Sequence, residues 1–434
     1  MSLVLLTGIV LIVLLFIGTP VPVALGFSGL LGLLGLNGQG AFIIASKVMF
    51  DTVNDFIFVA IPLFILMGTI LGKGRMGEKL YRLFDVFLRQ IPGGIGIATI
   101  LTCAVLSAMI GTSVAIAAMV GSFAIANLVK YGYSFPLALG ICVAGGALGI
   151  LIPPSVPMIV YSAFTEESTG RLFLAGVIPG CLAVVLFSVY IMWAYGRLPN
   201  KQKVEAASWR ERWNAFKEGI WALLIPVGVI VPLYTGLATV TEIAAIGVLW
   251  SFLIGIFIYK TIKLSDIIPI LREALNGSVM VLFIICGAIL LGNAVIQLGL
   301  AQSISNFFIN KGFSPLVFVI ITMIIIIIMG CFLEGASIMM ILIPIILPAL
   351  IGYEINLIWY AVIMVINIEV GLLSPPVGLN IYAVDSVAKG LGFNSTLGIV
   401  IKGTWPFLLL YLLTMVLVGI FPSLALWLPT HMMK

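Results

Sequence analysis

The sequence predicts an all-α polytopic membrane protein that is built as an inverted repeat and contains two re-entrant helical hairpins. Three observations lead to this fold class: the composition, the lengths of the apolar runs, and matching motifs in the two halves. Hydrophobic residues make up 62% of the 434-residue chain, charged residues make up 9%, and the mean hydropathy is +1.29. This composition excludes a water-soluble globule, so we expect the bilayer to be the solvent.

The apolar runs have the length that a helix needs to cross the hydrocarbon core, about 20 residues, and they lack the alternation of barrel strands. The first charged residue is Lys47. The N-terminal segment therefore lacks the basic region of a cleavable signal peptide and is expected to remain as a span. The predicted spans are 2–18, 20–38, 52–72, 136–165, 171–195, 218–235, 238–259, 276–298, 356–388 and 396–425.

Two further apolar stretches, 94–130 and 314–351, are too long for one crossing, and each is broken near its middle. The breaks are Gly111-Thr112-Ser113 in the first stretch and Glu334-Gly335-Ala336-Ser337 in the second. Irregular backbone at membrane depth survives only where protein or a water-filled cavity satisfies its polar groups. We therefore expect two re-entrant hairpins, each of which enters and leaves on the same side of the membrane.

Basic residues collect in three blocks, at 73–89, 197–217 and 260–272. Because cytoplasmic loops carry an excess of lysine and arginine, we expect these blocks on the cytoplasmic side of the inner membrane, with both termini in the periplasm. The first block is also amphipathic and is expected to lie flat on the inner surface, an ordinary loop helix being the alternative. Four basic residues are then left outside, namely Lys47, Arg171, Lys311 and Lys434.

The long polar segment 196–217 divides the chain into halves of similar size, and similar motifs recur across it. Because an odd number of crossings, five, precedes the divide, the two halves are expected to be inserted with opposite orientation. Many secondary transporters are inverted repeats of this kind, with a site at the repeat interface. The matching stretches are Gly149–Pro154 with Gly371–Pro376 at an offset of 222, Ser113 with Ser337 at 224, and Gly132-Tyr133 with Gly352-Tyr353 at 220.

The proline pairs Pro153-Pro154 and Pro375-Pro376 lie inside apolar spans, where each removes two backbone donors and opens the helix. The carbonyls freed beside them are suitable ligands for a hard cation. A simple kink that shapes the bundle is the alternative interpretation of a single proline. Two symmetric breaks, each paired with a polar hairpin tip, favour a site.

Ionisable residues in hydrocarbon are costly and are therefore candidates for function. Glu334 and Glu369 lie beside the second tip and the second break, where they could bind a cation, accept a proton or serve as structural carboxyl groups. Glu242 and Asp385 lie nearer helix ends, where solvation is expected. Because the predicted centre has no lysine, arginine or histidine, an anionic solute would have to be held by helix N-termini and bound cations.

At these residues the chain resembles the large membrane subunit (DctM-like) of the tripartite ATP-independent periplasmic (TRAP) transporters. The resemblance covers almost the whole chain. It rests on five stretches, Ser107–Ala115, Gly149–Ser155, Leu172–Gly180, Gly236–Ala245 and Gly371–Asn380.

This resemblance implies a sodium-coupled elevator, in which a domain that carries both hairpins slides against a scaffold. It implies as partners a separate small membrane subunit and a soluble periplasmic binding protein that delivers a small organic acid, with sodium ions for coupling and no other cofactor. The expected division is scaffold helices and arm at 1–93 and 218–313, transport domain at 94–195 and 314–434, and a cytoplasmic linker at 196–217.

The resemblance also implies the site residues. One sodium site would use Ser107, Gly111, Thr112, Ser113, Gly145, Gly149, Pro153 and Ser155. The other would use Glu334, Gly335, Ser337, Gly371, Ser374 and Pro376. The solute would contact Thr112, Ser113, Pro154, Ser155, Ser337, Pro375 and Asn380.

Other functions fit the sequence less well. The stretch Gly26–Gly29 resembles an intramembrane protease motif, but the only histidine is His431 in the C-terminal tail, so a general base is missing. No phosphate-binding loop is present, which disfavours a primary pump, and nucleic acid is not an expected partner. A proton-coupled carrier of the same architecture and an ion channel remain as alternatives.

Overall fold

The computed structural model describes residues 3–199 and 205–432, and all regular secondary structure in these residues is helical. Eight of the described helices are long and apolar enough to cross a bilayer, and seven shorter apolar helices accompany them. The basic residues Lys201, Lys203 and Lys434, which the charge pattern assigned to sides of the membrane, lie outside the described residues.

The first repeat contains ten helices and one 3₁₀ turn, Phe56–Val59. Proline at the first or second position begins α2, α8 and α9, where its missing N–H has no intrahelical partner to lose. The helices are α1 (Leu3–Phe16), α2 (Val21–Asn37), α3 (Gly40–Asn54), α4 (Ala60–Lys73), α5 (Met76–Leu88), α6 (Gly94–Ile110), α7 (Ser113–Lys130), α8 (Phe135–Gly146), α9 (Val156–Thr165) and α10 (Thr169–Gly196).

The second repeat also contains ten helices, with a π-helical turn at Ile254–Ile258. Side-chain oxygens of Ser208, Thr239, Ser314 and Asn356 cap four of its helix N-termini. The helices are α11 (Trp209–Tyr234), α12 (Val240–Leu253), α13 (Leu264–Gln297), α14 (Leu300–Asn310), α15 (Pro315–Gly330), α16 (Gly335–Gly352), α17 (Leu357–Leu372), α18 (Leu379–Gly390), α19 (Leu397–Ile420) and α20 (Ser423–Met432).

Corresponding helices of the two repeats begin at nearly constant offsets. The starts of α7 and α16, and of α8 and α17, both differ by 222 residues. The 34-residue helix α13 corresponds at an offset of 224 to residues 40–73, where the first repeat has α3, the 3₁₀ turn and α4. The first copy is interrupted at Asp55, whose carboxylate accepts a hydrogen bond from the Ile57 amide at 3.0 Å.

Both hairpins are re-entrant, as the sequence predicts. At the base of the first, α6 to α7, the Gly96 amide donates to the Tyr133 hydroxyl at 2.9 Å. At the base of the second, α15 to α16, the Tyr353 hydroxyl donates to the Phe313 carbonyl at 2.9 Å. One hydrogen bond thus joins the two ends of each hairpin.

The hairpin bases lie at opposite ends of the membrane-crossing helix α10. The Tyr133 ring contacts that of Tyr195, near the C-terminus of α10, with 4.7 Å between centroids. Tyr161 of α9 donates a hydrogen bond to the Leu357 carbonyl at 2.8 Å. Leu357 begins α17 just after the second hairpin base, and α9 ends just before the N-terminus of α10. The hairpins are therefore inserted with opposite orientation.

The three basic blocks meet at one end of the molecule. Lys73 pairs with Glu273 at 3.3 Å, and both Lys79 and Arg82 pair with Glu218 at 3.1 Å. A salt bridge between Arg89 and Glu211 continues the α5–α11 contact. Helix α5 is strongly amphipathic, as predicted, and buries its apolar side.

Several predicted boundaries are wrong. The linker 196–217 is shorter than predicted, because α10 continues to Gly196 and α11 already begins at Trp209. Residues 209–217 belong to the predicted linker yet are helical, since the Ser208 hydroxyl caps α11 and ion pairs hold the helix against α5. Helix α13 begins twelve residues before the predicted span, α3 was not predicted, and the last span ends at Ile420, with α20 separate.

Candidate functional site

The first hairpin tip is in direct backbone contact with the first broken helix. Gly111 at the tip has φ +71°, and a Cβ atom there would lie 2.9 Å from the Pro154 carbonyl oxygen. A Cβ atom on Gly149 would lie 2.7 Å from Ser113 Cα. Only glycine allows so close an approach. The structure therefore brings together the tip and the break that were predicted to form the first sodium site.

The second tip contacts the second break in the same manner. The Gly378 amide donates to the Cys331 carbonyl at 3.2 Å, and the Cys331 thiol donates to the Pro375 carbonyl at 3.5 Å. A Cβ atom on Gly371 would lie 2.6 Å from Gly330 Cα, so α15 and α17 touch through two glycines.

The two half-sites also contact each other. A Cβ atom on Gly335, at the start of α16, would lie 3.3 Å from Ile150 Cδ1 and 3.5 Å from Pro157 Cγ. Both of these residues belong to the first break or the helix that follows it. The tips and breaks of both repeats thus form one contiguous cluster.

Both breaks leave backbone carbonyls without backbone partners. In the described part of the chain, the carbonyls of 149–154 accept no backbone hydrogen bond, and neither do those of 372–374. Both Pro-Pro peptide bonds are cis. Carbonyl oxygens of this kind are the ligands that a hard cation prefers.

The predicted hydroxyl ligands are held by their own helices. Ser107 donates to the Cys103 carbonyl at 2.7 Å, and Ser374 donates to the Val370 carbonyl at 2.6 Å. Ser155 caps α9 by accepting from the Met158 amide at 3.5 Å. A hydroxyl that donates its proton backward keeps its lone pairs, which a cation can still use.

Glu369 joins the two repeats. Its carboxyl group, fully buried in α17, accepts a hydrogen bond from the Ser113 hydroxyl at the first tip. It also accepts from Asn380 Nδ2, near the start of α18, at 3.3 Å. The sequence marked Glu369 as a residue that could bind a cation or accept a proton, but the two predicted sodium-ligand sets did not include it. An acidic residue two positions before Gly371 in an apolar span was the available signal.

Other predicted residues have different surroundings. A Cβ atom on Gly145 would lie 2.4 Å from Cys103 Sγ, so this glycine packs α8 against α6. Glu334 is the half-buried residue that precedes α16, and its side chain makes no capping hydrogen bond. Tyr411, which sequence reasoning missed, donates to the Ala147 carbonyl at the first break at 2.7 Å.

Two of the predicted repeat pairings are shifted. Ser113 is the first residue of α7, whereas Ser337 is the third residue of α16, so these serines are not equivalent. Helices α7 and α16 end at Lys130 and Gly352, so the helix ends align Tyr353 with Tyr131 rather than with Tyr133. The proline motifs keep the predicted offset of 222.

The two breaks differ in exposure. Pro153 and Pro154 are buried, whereas Pro375 and Pro376 are exposed. Beside the second break, Phe332 is 55% exposed. The repeat symmetry thus holds for the backbone but not for the surroundings of the two sites.

A cavity of about 540 Å³ lies between α4, α13 and the first hairpin. Thr112 lines it at the tip, and Lys73 and Glu273 line it at the end where the basic blocks meet. The cavity therefore connects the first tip with the basic end of the molecule.

The comparisons with known proteins agree with this architecture. Residues 9–424 match the family model described as tripartite ATP-independent periplasmic transporter, DctM component. The chain belongs to the DctM family. It is 35% identical to the C4-dicarboxylate TRAP transporter large permease protein DctM of Pseudomonas aeruginosa, over 94% of this chain and 93% of that protein.

Other relatives have similar coverage. DctM of Rhodobacter capsulatus is 34% identical, over 96% of this chain and 97% of that protein. The sialic acid TRAP transporter large permease protein SiaM of Vibrio cholerae is 30% identical, over 96% of each chain. Proteins of this family are transporters rather than enzymes, and they work with a small membrane subunit and a periplasmic binding protein.

Two solved structures share the fold. The YdaH transporter of Alcanivorax borkumensis superposes with a TM-score of 0.67 at 13% identity, over 91% of each chain. MtrF of Neisseria gonorrhoeae superposes with a TM-score of 0.64 at 11% identity, over 90% of this chain and 85% of that one. The chain therefore has a polytopic fold that is shared with transporters of very different sequence.

Proposed function

We propose that this chain is the translocating subunit of a sodium-coupled secondary transporter, which imports a small carboxylated organic solute delivered by a periplasmic binding protein. One observation carries the proposal: two hairpins enter from opposite ends, and each tip contacts a helix opened by a proline pair. Inverted repeats with discontinuous helices bind substrate and coupling ions at such junctions.

Sodium ions are proposed at the two tip-and-break junctions. The unpartnered carbonyls of 149–154 and 372–374 would supply most ligands, supplemented by hydroxyls such as those of Ser107, Ser155 and Ser374. The carbonyl and hydroxyl ligands are neutral, and Glu334 would add a carboxylate to the second site.

The solute is proposed to bind where the tips meet, at Thr112, Ser113, Pro154, Ser155, Ser337, Pro375 and Asn380. The N-termini of α7 and α16 lie at the tips, and helix N-termini favour anions. The names of relatives that carry C4-dicarboxylate, sialic acid and isethionate support a small organic acid as the solute.

Transport is proposed to occur by an elevator motion in the inner membrane, with both termini in the periplasm and the basic end in the cytoplasm. The scaffold would be α1–α5 with α11–α14, and the moving domain would be α6–α10 with α15–α20. A close glycine contact joins two helices within each of these proposed domains, which supports the division. A Cβ atom on Gly29 of α2 would lie 2.6 Å from the Leu291 amide of α13, and one on Gly140 of α8 would lie 2.1 Å from the Gly403 carbonyl of α19.

The experiment is uptake into liposomes that contain the full chain and its small membrane subunit, with the binding protein outside. Labelled C4-dicarboxylates, sialic acid and isethionate form the test panel. We expect saturable uptake of one of them that collapses when the sodium gradient is removed. Uptake that persists unchanged without sodium, or that follows a proton gradient instead, would overturn sodium coupling. Conduction without saturation would indicate a channel.

A further inference from the structure

The Glu369 carboxyl lacks a counter-charge. Glu369 is completely buried, and the two groups that donate to it, Ser113 Oγ–H and Asn380 Nδ2–H, are neutral. In the described ranges, 3–199 and 205–432, no salt bridge includes Glu369. A buried carboxylate without a positive partner is strongly destabilising, so this group must take up either a proton or another cation.

The side chain of Asn380, which contacts Glu369, has a hydrogen-bonding atom without a partner. Asn380 is fully buried, and its Oδ1 atom has no hydrogen-bond partner although its Nδ2 atom contacts Glu369. A buried acceptor without a donor is rare in proteins and requires an explanation. The amide oxygen, the carboxylate and the Ser113 hydroxyl together form a set of oxygen ligands with one negative charge, which a single monovalent cation balances.

We propose that Glu369, Asn380 and Ser113 form an additional monovalent cation site, located between the two repeats. Each of the two junction sites lies within one repeat, whereas this site takes Ser113 from the first repeat and Glu369 and Asn380 from the second. The cation bound here neutralises the buried Glu369 carboxylate and holds the first tip against the second broken helix. The inference rests on the proposed sodium coupling.

The test is binding of radioactive sodium to the full chain, purified with its small membrane subunit in nanodiscs. Glu369→Gln keeps the shape but removes the charge and one of the two acceptor oxygens. We expect this variant to bind about one sodium ion fewer per chain than the wild type and to lose part of the sodium-dependent gain in unfolding temperature. Adding Asn380→Asp to Glu369→Gln returns one carboxylate to the same contact, so we expect the double variant to regain the lost ion.

Asn367→Leu is the matched control. Asn367 lies on the same helix and is equally buried, and its Oδ1 atom also lacks a hydrogen-bond partner, but its Nδ2 atom donates to the Met323 carbonyl at 2.6 Å within the second repeat. We expect Asn367→Leu to lower the unfolding temperature while the number of bound ions stays at the wild-type value.

Three outcomes overturn the inference. They are an unchanged ion count in Glu369→Gln, a loss that Asn380→Asp does not restore, and an equal loss in Asn367→Leu. Failure of the proposed function is distinguishable from all of these, because the wild-type protein itself would then bind no sodium.

Discussion

Replacing Gly149 with alanine tests whether the first tip and the first break act as one rigid unit. The added Cβ atom would lie 2.7 Å from Ser113 Cα and 2.8 Å from Ser113 N. Non-bonded carbon atoms pack at about 3.5–4.0 Å, so the tip and the break must separate by about 1 Å. Both clashing atoms belong to the backbone, and no change of rotamer can relieve the contact.

The expected cost is that of overpacking a close contact, about 1–3 kcal/mol. If this cost falls on the sodium-bound state, the apparent sodium affinity decreases about 5- to 150-fold. The assay is the sodium dependence of uptake into liposomes, accompanied by thermal unfolding of the purified protein. We expect the half-saturating sodium concentration to rise at least about fivefold while the protein still inserts and folds.

Gly419→Ala is the control for this substitution. Gly419 lies in α19, and a Cβ atom there would meet no other atom within 4 Å. We expect wild-type sodium dependence in this variant. If Gly149→Ala showed the same sodium dependence as Gly419→Ala, the proposed rigid contact between tip and break would be refuted.

The remaining predictions concern the hairpin bases and the basic end. Tyr133→Phe leaves a buried amide without a partner and should cost about 1–3 kcal/mol, whereas Tyr353→Phe, at an exposed contact, should cost less than about 1.5 kcal/mol; thermal unfolding of both variants measures the difference. Glu218→Ala should cost less than about 1 kcal/mol, an effect that should vanish in high salt. Burial raises the pKa of Asp85 although Arg89 opposes the shift. The native fold therefore loses stability as the pH rises from the ordinary aspartate pKa to the raised pKa of Asp85. Asp85→Asn should therefore raise the unfolding temperature at neutral pH more than at acidic pH, and equal gains at both pH values would contradict this account.

The helical fold and the hairpins could be predicted because local rules determine them. Proline pairs inside apolar spans open the helix wherever they occur, and an apolar run too long for one crossing must turn back or leave the membrane. The structure confirms both features at Pro153-Pro154, at Pro375-Pro376 and in the two hairpins.

Features that depend on distant contacts could not be predicted. Helix α11 begins early because Glu211 and Glu218 pair with α5, more than one hundred residues away. Ser113 and Glu369 are 256 residues apart in sequence, and no pattern in either segment indicates that they meet. The Ser113 and Ser337 pairing failed because both serines lie at a hairpin break, although only Ser113 begins a helix.

The most direct test of the central claim is the accessibility of single cysteines at the four hairpin ends. Gln90→Cys and Lys130→Cys mark the first hairpin, and Lys311→Cys and Glu354→Cys mark the second; all four positions are exposed. The background carries Cys181→Ser, since Cys181 is the exposed cysteine of the described chain.

The measurement is labelling by a membrane-impermeant thiol reagent applied to the periplasmic side of spheroplasts. We expect labelling at 311 and 354 in intact spheroplasts, and at 90 and 130 only after the membrane is permeabilised. If the two ends of either hairpin were labelled from opposite sides, that segment would cross the membrane, and the oppositely inserted hairpins of this account would not exist.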